Sequence, residues 1–264
     1  MKHQRYIQGN KKYWNELTPL HARSDFYNLK SFKKGKSTLL PLEIEEIGNV
    51  TNKTLLHLQC HFGMDTLSWA RPGAKVTGVD LSDKSIELAK KLASDLHLSA
   101  KFVASDIYDL PKNLNGQFDI VYTLGGVLSW LPDLFSWAKI ISQYVKNGGM
   151  FYLRDDHPFA MIFDEDMNLS RNYYHEDAPV INKPNGSYAT AEKVTNLHYG
   201  WHHSLADIIS ALANAGLTIK FLHEFPFLGW ARYPKLMQKE ADGWYYFKNK
   251  KIKIPLMFSI VANK

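Results

Sequence analysis

The chain has 264 residues, 45% apolar and 13% aromatic, with a single cysteine, Cys60. That suits one large globular domain with an elaboration, and it excludes a disordered chain and an internal disulfide framework. The net charge of +6 is concentrated at one end: residues 1–40 hold nine Lys or Arg against two Asp or Glu, while the remaining 23 and 24 nearly cancel.

A basic arm of this kind either draws an anionic partner, nucleic acid included, or is simply solvated. No apolar run approaches the roughly 18 residues of a membrane span. The opening MKHQRYIQGNKKYWNEL lacks the apolar centre of a secretory signal. One cysteine and no such signal point to a reducing, cytoplasmic setting.

In chain order, residues 1–50 read as an N-terminal helical extension. Tyr13-Trp14-Asn15-Glu16-Leu17 precedes Pro19, and Leu39–Ile47 forms a short helix stopped by Gly48. Aromatics among polar residues suit a flap folding over a site; a helix packing one face on the core is the other reading. Residues 51–264 read as one domain, in which strands and helices alternate over 51–158. Leu55–Leu58 is an apolar strand, residues 64–70 a helix broken by Arg71-Pro72-Gly73, and Lys75–Val79 a strand ending in Asp80. Ser82 N-caps the next helix. Ala100–Ala104 is a third strand and Phe118–Tyr122 a fourth. Residues 132–146 make a helix stopped at Asn147-Gly148-Gly149, and Met150–Leu153 a fifth strand. The pattern lapses over 159–204, a stretch that carries Asn182-Lys183-Pro184-Asn185-Gly186-Ser187 and is too long for a plain connection, so an insertion with a lid or small hairpin is expected there. It resumes with a helix N-capped by Ser204, a strand over Thr218–Phe225 and a last strand over Ile254–Ala262. The expected class is α/β, a mostly parallel, doubly wound sheet of seven strands with a final antiparallel strand.

The stretch Leu55–Asp80 is strand, tight turn, helix, strand, then a carboxylate. That is the arrangement of a nucleotide-binding βαβ unit, in which the turn lets backbone approach a ligand and the acid meets ribose hydroxyls. With Asp106 after the third strand and a closing strand pair, the chain resembles the class I S-adenosylmethionine-dependent methyltransferases, in a divergent form spelled HLQCHFG at residues 57–63. Gln59 and His61 stand where that family has glycines, and only Gly63 remains. A turn carrying those side chains cannot wrap a pyrophosphate by bare backbone, which disfavours a dinucleotide. The resemblance implies S-adenosylmethionine as cofactor. Gln59, His61 and Gly63 would meet its tail, Asp80 its ribose, Leu81 and Ser82 its adenine side. Asp106 and Ile107 would meet the adenine edge, and Thr123, Leu124 and Gly125 the methionine. Trp14 of the extension would cover it.

Methyl transfer to oxygen or protonated nitrogen needs a base. His157, following the fifth strand with Asp155 or Asp156 to orient it, is the expected one, a capping histidine being the alternative. Tyr173, Trp201, His202 and Trp230 are expected to wall the acceptor pocket. His202, His203 and the carboxylates at 155, 156, 164 and 166 lack tight ligand spacing, so no metal is expected. The fourth strand ends in Tyr122-Thr123-Leu124-Gly125, not Asn/Asp-Pro-Pro-Tyr, and a second cysteine for two-cysteine chemistry is absent. The expected activity is therefore methylation of an O or N atom of a small molecule by a monomer or homodimer. RNA methylation and a non-catalytic ligand-binding relative are the alternatives.

Overall fold

The computed structural model describes residues 3–183 and 187–264, so Pro184, Asn185 and Gly186 of the expected lid or hairpin lie outside the described residues. Three helices precede the sheet: α1 (Gln4–Arg23), α2 (Leu29–Lys33) and α3 (Pro41–Ile47). The α1 helix runs through Pro19 without breaking. The α/β series follows as β1 (Thr54–Leu58), α4 (Met64–Ala70), β2 (Lys75–Asp80), α5 (Asp83–Asp95), β3 (Ala100–Ala104), α6 (Leu110–Asn113), β4 (Phe118–Leu124), α7 (Leu134–Tyr144) and β5 (Val145–Asp156). The insertion holds α8 (Pro158–Met161) and an antiparallel ribbon of β6 (Val180–Asn182) with β7 (His198–Gly200). Then come α9 (Leu205–Asn214), β8 (Thr218–Phe225), a second ribbon of β9 (Met237–Lys239) with β10 (Tyr245–Phe247), and β11 (Met257–Asn263).

The main sheet has the order β3-β2-β1-β4-β5-β11-β8. All pairings from β3 to β5 are parallel, and β11 runs antiparallel to both of its neighbours. Alternation along β1 sets the two layers. Leu56 and Leu58 pack with Trp137, Ile141 and Leu212 from α7 and α9; Leu55 packs on the opposite face with Trp69, Val76 and Tyr122. The strand order reverses direction between β1 and β4, so the crevice for a ligand opens at the carboxyl ends of those two strands.

Three boundaries differ from the sequence reading. Helix α7 stops at Tyr144, and Asn147-Gly148-Gly149 belongs to the first turn of β5. There Gly148 has φ +76° and the register to β4 shifts. A glycine pair after a helical pattern therefore marks an irregular strand start here, not a helix cap. The last strand begins at Met257, after residues 248–256 have closed the second ribbon. Ser82 does cap α5, accepting the Ser85 N–H.

Candidate active site

The turn after β1 carries backbone strain. Gln59, His61 and Gly63 have φ of 55°, 49° and 77°. For the two non-glycine residues the left-handed region costs about 1–2 kcal/mol each, and hydrogen bonds hold both in place. Gln59 Nε2 donates to Val127 O at 3.1 Å, leaving Gln59 Oε1 buried with no partner. The His61 N–H donates to Asp80 Oδ2 at 2.7 Å, and its ring nitrogens lie 2.9 Å from Ser85 Oγ and 3.0 Å from His21 Nδ1. Gly63 is required twice over: its φ is positive, and an added Cβ would lie 2.7 Å from the Phe102 ring. Gly78 on β2 is as tight, at 2.6 Å from the same ring. Backbone there comes close to a flat aromatic floor.

Asp80, at the end of β2, also accepts from Ser82 N at 2.8 Å, and burial pushes its carboxyl up to about 6. Half-buried Leu81 follows it. Ser82 is fully committed as a cap, its hydroxyl donating to Asn15 Oδ1 at 2.7 Å. At the end of β3, Asp106 accepts from Tyr108 N at 3.1 Å through Oδ1, while its Oδ2 is buried without a partner. Burial raises that carboxyl too. Ile107 beside it is buried. At the end of β4, the Thr123 hydroxyl donates to Leu58 O at 3.1 Å, tying β4 to β1, and Leu124 leads into Gly125 and Gly126, both at positive φ.

Helix α1 crosses over this end of the sheet. Thr18 Oγ1 lies 2.7 Å from Ser85 Oγ, Lys11 pairs with Asp83 at 2.8 Å, and His21 Nε2 lies 2.8 Å from Ser187 Oγ. The Trp14 ring centroid is 5.1 Å from those of both His61 and Trp130, and Tyr13 stacks against Trp130 and His198. His21 and Trp130 were not singled out in the sequence. The signal for Trp130 was its place just past the Gly125-Gly126 pair.

Next to the β4 and β5 ends lies a narrow cleft, partly open to solvent, with a cavity volume of about 40 Å³. Gly126, Leu128, Asp156, Met161, Trp201 and His202 are among its lining residues. Asp155 also borders it but does not orient His157. Its oxygens accept from Gly126 N at 2.6 Å, Asp156 N at 2.7 Å and Leu128 N at 2.9 Å, holding the turn after β4, and burial beside Asp156 raises its carboxyl to about 7. His157 has a different job from the base expected of it. It caps α8, with Nδ1 accepting from Phe159 N at 3.1 Å, and its Nε2 lies 2.8 Å from Glu224 Oε1. Nδ1 is thus engaged by the α8 backbone, and Nε2 faces Glu224. Asp156 is the lining carboxylate left available; Trp230 donates to it, and burial raises its carboxyl. Trp201 forms a buried wall with its indole N–H on Asp177 O, while the Tyr173 hydroxyl accepts from Leu205 N at the start of α9. Burial holds His202 down at about 4, so its ring is neutral at neutral pH. Among the described residues no three His, Cys, Asp or Glu side chains are grouped to hold a metal ion, and no helix is long and apolar enough to cross a membrane.

Residues 56–151 match the family model of a methyltransferase domain. A ubiquinone biosynthesis O-methyltransferase of Bordetella avium is 28% identical over 148 residues, 53% of this chain and 54% of that protein. The chain thus spans about half the length of this curated relative. Among solved structures, an S-adenosylmethionine-dependent methyltransferase from Mesorhizobium loti superposes with a TM-score of 0.58 at 17% identity, covering 88% of this chain and all of the other. One from Clostridium acetobutylicum gives 0.57 at 16%, covering 96% and 98%. At such identities the superpositions establish the fold. That fold is Rossmann-like, and the methyltransferase-domain match falls within it, over residues 56–151.

Proposed function

We propose that this chain transfers the methyl group of S-adenosylmethionine to an oxygen or nitrogen atom of a small molecule. The observation that carries the reading is the turn after β1, which keeps left-handed backbone at residues 59, 61 and 63 although two of them are not glycine. A chain does not hold strained residues at three alternate positions unless the surroundings impose it, and such turns concentrate at ligand sites. The residues present fit the cofactor. Asp80 would take the ribose hydroxyls. Asp106 Oδ2, buried and unpartnered, would accept from the adenine amino group, beside the Ile107 backbone. Gln59 Oε1, also unpartnered, and Gly125 would meet the charged amino-acid tail. When bound, the sulfonium supplies an electrophilic methyl carbon.

The chain's own residues supply alignment, shielding and proton removal. In this reading α1 is the cover: Trp14 and Trp130 exclude water and present π faces to a cation. Asp156 takes the proton from the attacking O–H or N–H, because its raised carboxyl is nearer neutrality than an ordinary one and it lines the cleft. A small-molecule acceptor is supported by the similarity to an O-methyltransferase of ubiquinone biosynthesis. RNA is disfavoured because Lys11, Arg23 and Lys33 of the basic arm are paired with Asp83, Glu192 and Asp95. Calorimetric titration with S-adenosylhomocysteine is the test. Saturable binding with a Kd of about 1–100 μM is expected, and its absence sinks the proposal.

A further inference from the structure

We infer that the acceptor carries an anionic oxygen group, carboxylate or phosphate, and that Arg171 receives it. The inference rests on the methyltransferase reading of the cleft and names the class of molecule entering it. Arg171 lies in the insertion. Its backbone N–H donates to Ile162 O at 3.1 Å, which fixes it beside the end of α8. Its Nη1 lies 3.4 Å from Nε2 of His202, a residue of the cleft lining. Its charge also acts on His198, whose ring packs 4.4 Å from Tyr13 under the α1 cover and whose Nδ1 is buried without a partner. The guanidinium therefore stands between the covered end of the site and the cleft.

No carboxylate lies within 4 Å of Arg171 among the described residues, whereas Arg23, Lys235 and Lys250 each pair with one. The neighbouring charges do not answer it. Arg232 is close enough to oppose its charge. Arg232 is itself spoken for, donating to Ala160 O and Phe163 O while facing Asp156. Asp155 is engaged by three backbone N–H groups. Glu176 acts on His202 but is exposed and accepts from Asn172. His202 and His203 are held neutral by burial. Arg171 is exposed to solvent, and with Arg232 near enough to oppose its charge and Asp156 facing Arg232, this side of the cleft is left net positive. A guanidinium fork pairs with planar or tetrahedral oxyanions through two parallel hydrogen bonds. Trp201, Met161 and Leu128 give the neighbouring cleft an apolar wall.

The test titrates benzoate, benzamide and phenyl phosphate onto the full chain and onto Arg171→Met, with S-adenosylhomocysteine affinity measured on both. Benzoate or phenyl phosphate should bind at least about tenfold more tightly than benzamide, and Arg171→Met should erase that preference. Arg171→Lys should restore part of it, and S-adenosylhomocysteine affinity should be the same in all three proteins. Whichever of benzoate and phenyl phosphate binds more tightly assigns the group as carboxylate or phosphate. Equal binding of acid and amide, no saturable acid binding up to about 10 mM, or an acid preference that survives in Arg171→Met overturns the inference. Failure of the wild-type chain to bind S-adenosylhomocysteine would instead strike the methyltransferase reading, leaving the anion result to stand by itself.

Discussion

The two ends of the site are built differently. At the β1–β3 end the ligand-facing groups are strand-end residues of one βαβ run, Gln59 to Asp106, and most of their polar atoms are engaged by neighbours in that run or by α1. At the β4–β5 end the cleft is assembled from residues 126–129, 155–161 and 201–208, joined by Arg171 and Arg232 from separate loops. The first end is a fixed grip, strained and closely packed. The second is a lined space whose charges are only partly matched. This contrast suits an invariant ligand at one end and a chain-specific one at the other.

Four measurements would break or sharpen that contrast. The largest effect is expected at the cleft: Asp156→Asn should slow turnover by roughly 10²–10⁴-fold while sparing S-adenosylhomocysteine affinity. Equal rates in the variant would remove Asp156 as the proton acceptor. Next, Asp155→Ala strips three backbone N–H groups of their acceptor and should lower unfolding stability by about 2–4 kcal/mol, read by urea denaturation.

A third effect comes from His57, buried beneath the grip 2.8 Å from Thr66 Oγ1 and held down at about 3. The unfolded chain binds the proton near pH 6.5 and the folded chain does not, so this residue's contribution is complete above pH 6.5 and is lost as pH falls. The loss reaches about 2 kcal/mol by pH 5. Asp80 and Asp155, raised by burial, act in the opposite sense below about 6 and 7. The clean readout is therefore the difference between His57→Gln and the parent, whose stability gap should narrow as pH drops from 6.5 to 5. A constant gap would show that His57 is already charged in the folded protein. The smallest effect is at the grip itself: Asp80→Ala should weaken S-adenosylhomocysteine about tenfold. Undiminished affinity would take Asp80 out of the site.

Much of the grip was legible because its signals are local. A strand that ends in Asp80, a cap at Ser82, an acid at Asp106 and the turn at 59–63 can each be read within a few residues. The Ser82 and Thr123 hydroxyls also meet groups distant in the chain, Asn15 Oδ1 and Leu58 O, which no local signal shows. His157 shows the same limit. Its place after β5 suggested chemistry, yet its partners are the α8 backbone and Glu224, 67 positions along the chain. Arg171 carried no local signal in a stretch without periodicity, and its importance lies in the carboxylate it does not meet.

By itself the sequence determined the alternating layers, the final antiparallel strand and the carboxyl edge where the proposed ligand would sit. Periodicity and strand-end residues are properties of neighbours in the chain. Only the tertiary structure decided that Gln59 and His61 keep a glycine's backbone. The bonds that hold them there come from Val127, Ser85 and His21, brought in by other elements. It alone also decided which carboxylate faces the cleft. Asp155 and Asp156 are adjacent in the chain, and their hydrogen-bonding surroundings separate a group that ties down a turn from one left available for chemistry.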